Sequence, residues 1–303
     1  MNRSIICSLL FFFFLVACRD SLHLEPMGGN NRLVVYAFPA PGDGFDIHVS
    51  VSRSLAGRSE RLRMVAITCR NNGVDCPIRQ VADTILGEFP TIVYHVSGSF
   101  SAGDQVDLHA EAVGMAAVSA STIIPLPTSA ILLGSDTICY QGYAYTQMRL
   151  MVEGAATLSY YAVRVENRCN DENEQEESGR DYLQLETTLE PLLNHYTGAD
   201  LNFGAWNDYY HNMYVFDNSS FGQLTTTLRL CTIQQPRQKV LRVHLFALSL
   251  EYYQMLRSLN DRDNNDIGRY GLSMIDSTYS NVHGGYGCVA GYVAVEPQVE
   301  EKR

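Results

Sequence analysis

Between Phe45 and Ser52 the chain alternates without a break. Phe45, Ile47, Val49 and Val51 fall on one side, and Asp46, His48, Ser50 and Ser52 on the other. A side-chain period of two belongs to a strand with one buried and one wet face, so this segment cannot be an amphipathic helix. Val106, Leu108, Ala110 and Ala112 repeat the pattern, with Gln105, Asp107, His109 and Glu111 opposite. Residues 33–38, 61–69, 91–96 and 116–124 carry further strand signals, and Pro125 and Pro127 close the block. Short strands separated by Gly, Asn and Pro turns over about 100 residues predict a β-sandwich, here spanning residues 31–128.

The second half, residues 129–303, is also predicted to be mainly β. Residues 143–152, 158–166, 209–216, 223–233 and 239–248 read as strands. Residues 249–260 are the one clear helix: Ser249 can cap it, and Leu250, Tyr253, Met255, Leu256 and Leu259 form an apolar stripe. The acidic run at 171–180 has no apolar residue and no regular calcium-ligand spacing, so it is expected to be solvated. The polar run at 261–266 begins like an EF-hand loop. Asp266 stands where glycine is required and Leu272 where the bidentate glutamate belongs, so it reads as a helix exit.

Ahead of the sandwich, Arg3 supplies one positive charge before a short apolar run from Ile5 to Ala17. That is the order of a signal peptide, and the run falls short of the roughly 20 apolar residues of a membrane span. It ends in Leu15-Val16-Ala17-Cys18, which resembles a bacterial lipobox. Residues 1–17 are therefore expected to be removed, with Cys18 lipidated and residues 18–30 serving as a tether. Outer-membrane lipid, held through Cys18, is the first expected partner; the sequence leaves the cell-surface and periplasmic faces both open.

Of eight cysteines, Cys7 lies in the signal peptide and Cys18 in the lipobox, leaving Cys69, Cys76, Cys139, Cys169, Cys231 and Cys288. An even number in an exported chain points to disulfides. Cys69 and Cys76 flank an Asn-Gly reversal, and closing that loop would stabilise the fold by roughly 2–3 kcal/mol. The other four allow three pairings. With no Cys-x-x-Cys and long, irregular spacings, zinc is the weaker account. The net charge of −11, with only 18% charged residues, excludes a nucleic-acid partner, which would need a basic face.

No nucleophile elbow, zinc-binding His-Glu-x-x-His or phosphate loop is present. No enzyme activity, cofactor or metal is expected. His48 and His109 could meet across a sheet, but exposed strand histidines are the commoner case. The glycine-rich run Gly284-Gly285-Tyr286-Gly287 has no helix after it and reads as a tight turn. Tyrosine is abundant, with 18 residues and several adjacent pairs. In a strand, one of each pair must leave the core, so Tyr209, Tyr210, Tyr214 and Tyr286 are the candidate ligand or partner surface, weighed against ordinary strand propensity.

Four stretches carry a family resemblance: the opening Leu33-Val34-Val35-Tyr36 with the later Val49-Ser50-Val51-Ser52, the Tyr160-Tyr161 strand entry, the run Leu245 to Tyr253, and Asn281-Val282-His283-Gly284-Gly285-Tyr286-Gly287. Together they resemble Bacteroidota outer-membrane lipoproteins catalogued only as a domain of unknown function. The resemblance implies an immunoglobulin- or transthyretin-like sandwich followed by a second, largely β domain. It also implies an accessory, non-enzymatic role beside a TonB-dependent β-barrel receptor in nutrient uptake. The alternative is a surface structural or adhesive lipoprotein that assembles by strand addition, as pilus subunits do. The first outcome to check is lipidation. Cys18→Ala should move the chain from the membrane pellet to the soluble fraction, and a variant that still pellets with acylated mass would refute the lipobox assignment.

Overall fold

A computed structural model describes residues 31–53, 61–62, 64–86, 89–168, 181–193, 213–221, 224–234, 240–263 and 278–300. The signal peptide, the tether with Cys18, the acidic loop at 171–180, residues 264–266, Cys169, Tyr209 and Tyr210 lie outside them.

The first half holds Leu33–Ala37 (β1), Gly42–Val51 (β2), Val65–Asn71 (β3), Val74–Asp75 (β4), Ile78–Leu86 (β5), Phe89–Phe100 (β6), Gln105–Ala112 (β7) and Val118–Ile123 (β8). Then come Ala130–Tyr140 (β9), Tyr143–Glu153 (β10), Tyr160–Arg168 (β11), Asp181–Leu183 (β12), Tyr214–Asp217 (β13), Thr225–Ile233 (β14) and Val240–Leu248 (β15). The helix Leu250–Asp263 (α1) follows, and Tyr286–Val289 (β16), Tyr292–Val295 (β17) and Gln298–Val299 (β18) end the chain. The fold is mainly β, as the alternation requires.

These strands make four sheets. The order β16-β1-β2-β6-β5 faces β4-β3-β7-β8, and β14-β10-β9-β18 faces β12-β11-β15-β17, with β13 beside β11. The inward positions read from the alternation, Ile47, Val49, Val106, Leu108 and Ala110, all lie in the first core. Full burial of a Val, Leu or Ile side chain contributes about 1.5–3 kcal/mol each, enough to fix register wherever one face is dry. A second core joins Leu150, Leu228 and Leu230 to Val163 and Leu245 across the other sheet pair. The apolar stripe of α1, through Tyr253, Met255, Leu256 and Leu259, covers the outer side of β11 and β15.

Two strands escape the alternation, β5 and β9, and each carries a bulge. The β5 register shifts between Gln80 and Ala82, and β9 shifts opposite Arg149 and Leu150. One inserted residue moves every later side chain to the other face, which erases the period of two.

The domain division needs one correction. Residues 129–303 do not form a unit of their own, because β16 pairs in parallel with β1 and completes the first sheet. On the way there, His283 exchanges both backbone hydrogen bonds with Ser119 of β8, at 2.8 and 3.2 Å. Beyond β16, Ala290 N–H donates to Ala37 O at 3.0 Å and Tyr292 N–H to Pro39 O at 3.1 Å, and β17 then joins β15. One strap thus laces both sheets of the first sandwich and continues into the second. Asn281 holds its start: the side-chain amide donates to Val289 O at 2.7 Å, and its carbonyl accepts from Val289 N–H at 2.9 Å. Ala247 and Val293 belong to the first core, so the two sandwiches share packed interior.

The strap's glycines are demanded by contact. Gly287 has φ +115°, and a Cβ there would lie 1.9 Å from Val35 O; one on Gly285 would lie 2.4 Å from Leu33 O. The glycine-rich run is therefore a close backbone docking site. Gly287→Ala should cost about 3 kcal/mol or more in urea unfolding, since it adds strain and collision together. Gly73→Ala has φ +81° and nothing within 4 Å, so it should cost only about 1–2 kcal/mol. Equal losses at the two positions would sink the docking account.

Candidate functional site

Where the two sandwiches meet, the outer face of β8 changes character along its length. Ser119, Ser121 and Ile123 point outward, because Val118, Ala120 and Thr122 alternate into the core. The chain then leaves the sheet through Pro125-Leu126-Pro127, where proline cannot continue the ladder. Ile123 and Leu126 therefore stand at the junction, 56% and 72% exposed, opposite Leu158 and Leu250 at 58% and 42%. They line a cleft of about 940 Å³. Part of its polar rim is internally satisfied: the Ser129 hydroxyl bonds the Glu153 carboxylate, and the Thr128 hydroxyl bonds the Glu153 carbonyl.

A second groove, of about 630 Å³, lies over the outer face of β3, β7 and β8 and is walled by the strap and by α1. Arg70, Asp107, His109, Tyr279 and His283 line it. Ser121 and Glu251 border both depressions, so an apolar and a polar half adjoin along one trough at the junction. Glu251 is held there by Thr122, whose hydroxyl donates to its carboxylate at 3.1 Å and accepts from Gly291 N–H at 3.0 Å. Nearby, Asp104 ties the β3–β4 turn, accepting from Ser101 N–H at 2.8 Å and from the amides of Asn71 and Asn72 at 3.0 and 2.8 Å. Those bonds, Ser101 first, hold its carboxyl below the usual range. Their stabilisation is present at neutral pH and is lost as pH falls through that lowered value.

The tyrosine surface needs a correction at Tyr214. That residue is fully buried, and its hydroxyl accepts the Leu185 N–H at 2.7 Å deep in the second core. Tyr286 is 48% exposed and carries the Arg32 guanidinium 5.5 Å from its ring centre. The paired tyrosines are used in packing. Tyr161 stacks on Phe216 in the core, while Tyr160 turns outward and meets Tyr253 of α1 at 4.7 Å. Phe38, Tyr252 and Tyr292 continue the ring contacts across the seam between the sandwiches.

His48 and His109 do not meet. They lie on β2 and β7, in different sheets, and His109 turns to Glu111 at 2.8 Å. Among the described residues no group of three or more His, Cys, Asp or Glu side chains could hold a metal ion. Sequence reasoning singled out His109 but missed the groove around it, because the strap that walls the groove arrives from the far end of the chain.

The family model described as "Domain of unknown function (DUF4249)" matches residues 21–297, nearly the whole chain. The protein belongs to this family. The match takes in every described strand except β18, together with the strap and the trough. No curated protein matches the sequence. Among solved structures, an I-band fragment of titin is similar at 8% identity and a TM-score of 0.20, covering 89% of this chain and 66% of that one. Tandem Ig repeats of Dlar are similar at 7% identity and the same TM-score of 0.20, covering 89% and 99%. The chain thus spans just under two thirds of the titin fragment, and so low a TM-score carries no argument about fold, which rests on the sheets themselves.

In this member of the family the cysteines divide by environment. Cys69 and Cys76 face each other across the β3–β4 hairpin: Cys76 N–H donates to Cys69 O at 2.9 Å, while the Cys76 thiol turns to Val74 O at 3.7 Å. Cys231 and Cys288 are buried on separate sheets and Cys139 is exposed, all three as thiols. Burial pushes the Cys69 thiol up to about 12, with Cys76 beside it adding to the effect, and burial pushes Cys288 up to about 12 as well. In reduced, folded protein at mildly alkaline pH, iodoacetamide should modify Cys139 well before Cys69 or Cys288. Labelling of Cys288 at the Cys139 rate, read by peptide mass spectrometry, would contradict this packing.

Proposed function

We propose that the protein is an exported binding module, anchored in the outer membrane through Cys18, that serves without catalysis as accessory to a TonB-dependent uptake receptor. The observation that carries the binding role is the trough at the junction. It gathers four exposed aliphatic side chains, Ile123, Leu126, Leu158 and Leu250, around one concavity with polar groups beside them, and it is this concave clustering that suits a ligand or partner. The strap keeps its walls in fixed relation. The lipobox and the family resemblance support the anchor and the receptor.

Export also favours a Cys69–Cys76 disulfide. The hairpin register places the two residues as opposed neighbours, where Cα atoms lie about 5.5 Å apart, within the range a disulfide spans. The purified chain should be lighter than its reduced form by two hydrogens, localised to a peptide containing both cysteines; full thiol content in freshly isolated protein would refute this.

The rival strand-addition reading meets a specific obstacle. Among the described residues the long free edge of the first sandwich is β5, which carries a bulge and a charged pair, Asp83 with Arg61 at 3.0 Å. Bulges and charged side chains on an edge are devices that blunt edge pairing. Affinity capture of the tagged chain from native membranes in mild detergent tests the proposal. A stoichiometric TonB-dependent receptor is expected. Recovery of copies of this chain alone would replace the uptake role with the structural one.

A further inference from the structure

Strand register arranges the outer face of β3, β7 and β8 in rows. Thr68 lies opposite His109, His109 opposite Ser119, and Ser119 opposite His283 of the strap. Two residues along, Arg70, Asp107 and Ser121 form a second row. With strands about 4.8 Å apart and about 6.8 Å between alternate residues, the patch measures roughly 14 by 7 Å. Tyr279 and Glu251 wall it on the α1 side. Among the described residues, the hydroxyls of Thr68, Ser119, Ser121 and Tyr279 and the imidazole of His283 take part in no side-chain hydrogen bond.

We infer that this groove binds a neutral oligosaccharide, so that the ligand of the binding module proposed above is a glycan; the inference rests on that reading. The chemistry selects by elimination. An apolar ligand would strand the polar rows. An anion would face Asp107, Glu251 and Glu111 on a chain of net charge −11, while the nearest guanidinium, Arg70, is already engaged by Asp75 at 2.8 Å. A peptide adding to the sheet would need the free edge of β8, which His283 occupies. What remains is a flat, uncharged ligand whose groups both donate and accept. Sugar hydroxyls do both, and they suit hydroxyls, imidazoles and a carboxylate held in plane by a sheet. The adjoining Tyr279 ring offers an apolar surface to the C–H face of a sugar.

The test uses the full lipidated chain in a zwitterionic detergent, which carries no sugar headgroup. It is first applied to an array of neutral glycans, then titrated calorimetrically with the soluble oligosaccharide retained. Asp107→Ala and Ser119→Trp should each weaken binding at least tenfold with an unchanged thermal midpoint, and Asp136→Asn, on the third sheet, should bind as the wild type does. Retention of no neutral glycan, or equal binding by all three variants, overturns the inference. Receptor capture reports separately: a receptor recovered by a chain that holds no glycan leaves the accessory role standing and removes only the ligand class.

Discussion

Peptide backbone lying directly on peptide backbone, at Gly285 and Gly287 against β1, is the contact on which the rest of this structure depends. A side chain at either position would stand inside a carbonyl oxygen of Leu33 or Val35. Because nothing intervenes, β16 can hydrogen-bond to β1 and still pass on to β17, which locks the first sheet to the fourth. The same path puts His283 on the edge of β8 and thereby builds one wall of the polar groove. Removing the close approach would unfasten the sheet edge, the seam and the groove together.

The parts of the fold legible in the sequence were those governed by local periodicity. The inward set of β2 and β7 and the stripe of α1 follow from where single side chains must go, and the structure packs them accordingly. The bulged strands were illegible because one inserted residue inverts the pattern it is read from. The strap was visible as a glycine cluster, but its partner was not, since pairing between Val34 and Tyr286 leaves no local trace. The candidate site shares that blindness. His109 and Asp107 stood out as the wet face of a strand, and only a wall supplied from the other end of the chain turns that face into a groove.

The tyrosines make a related point. A run such as Tyr160-Tyr161 must send one ring away from its own core, and here the outward ring lands beneath a helix. Adjacent aromatics thus join one layer to the next, and their abundance reflects a molecule with several interfaces inside one chain. The polar chemistry is placed differently: on a flat outer face beside the aliphatic groups of the junction, Asp107 and His109 are held by Gln105 and Glu111, while the hydroxyls and the His283 imidazole make no side-chain hydrogen bond among the described residues.

The parallel pairing of β1 with β16 also sets an order of events. A strand near the beginning of the chain acquires its last neighbour from near the end, and the Asn281 clamp and both strap glycines come with it. During synthesis, the first sandwich waits with an open edge and part of its core uncovered until residues 281–293 have emerged. Contacts this distant in sequence form slowly, because the entropy of closing so long a loop must be met before any of them helps. The vulnerable interval is the one before β16 and β17 arrive.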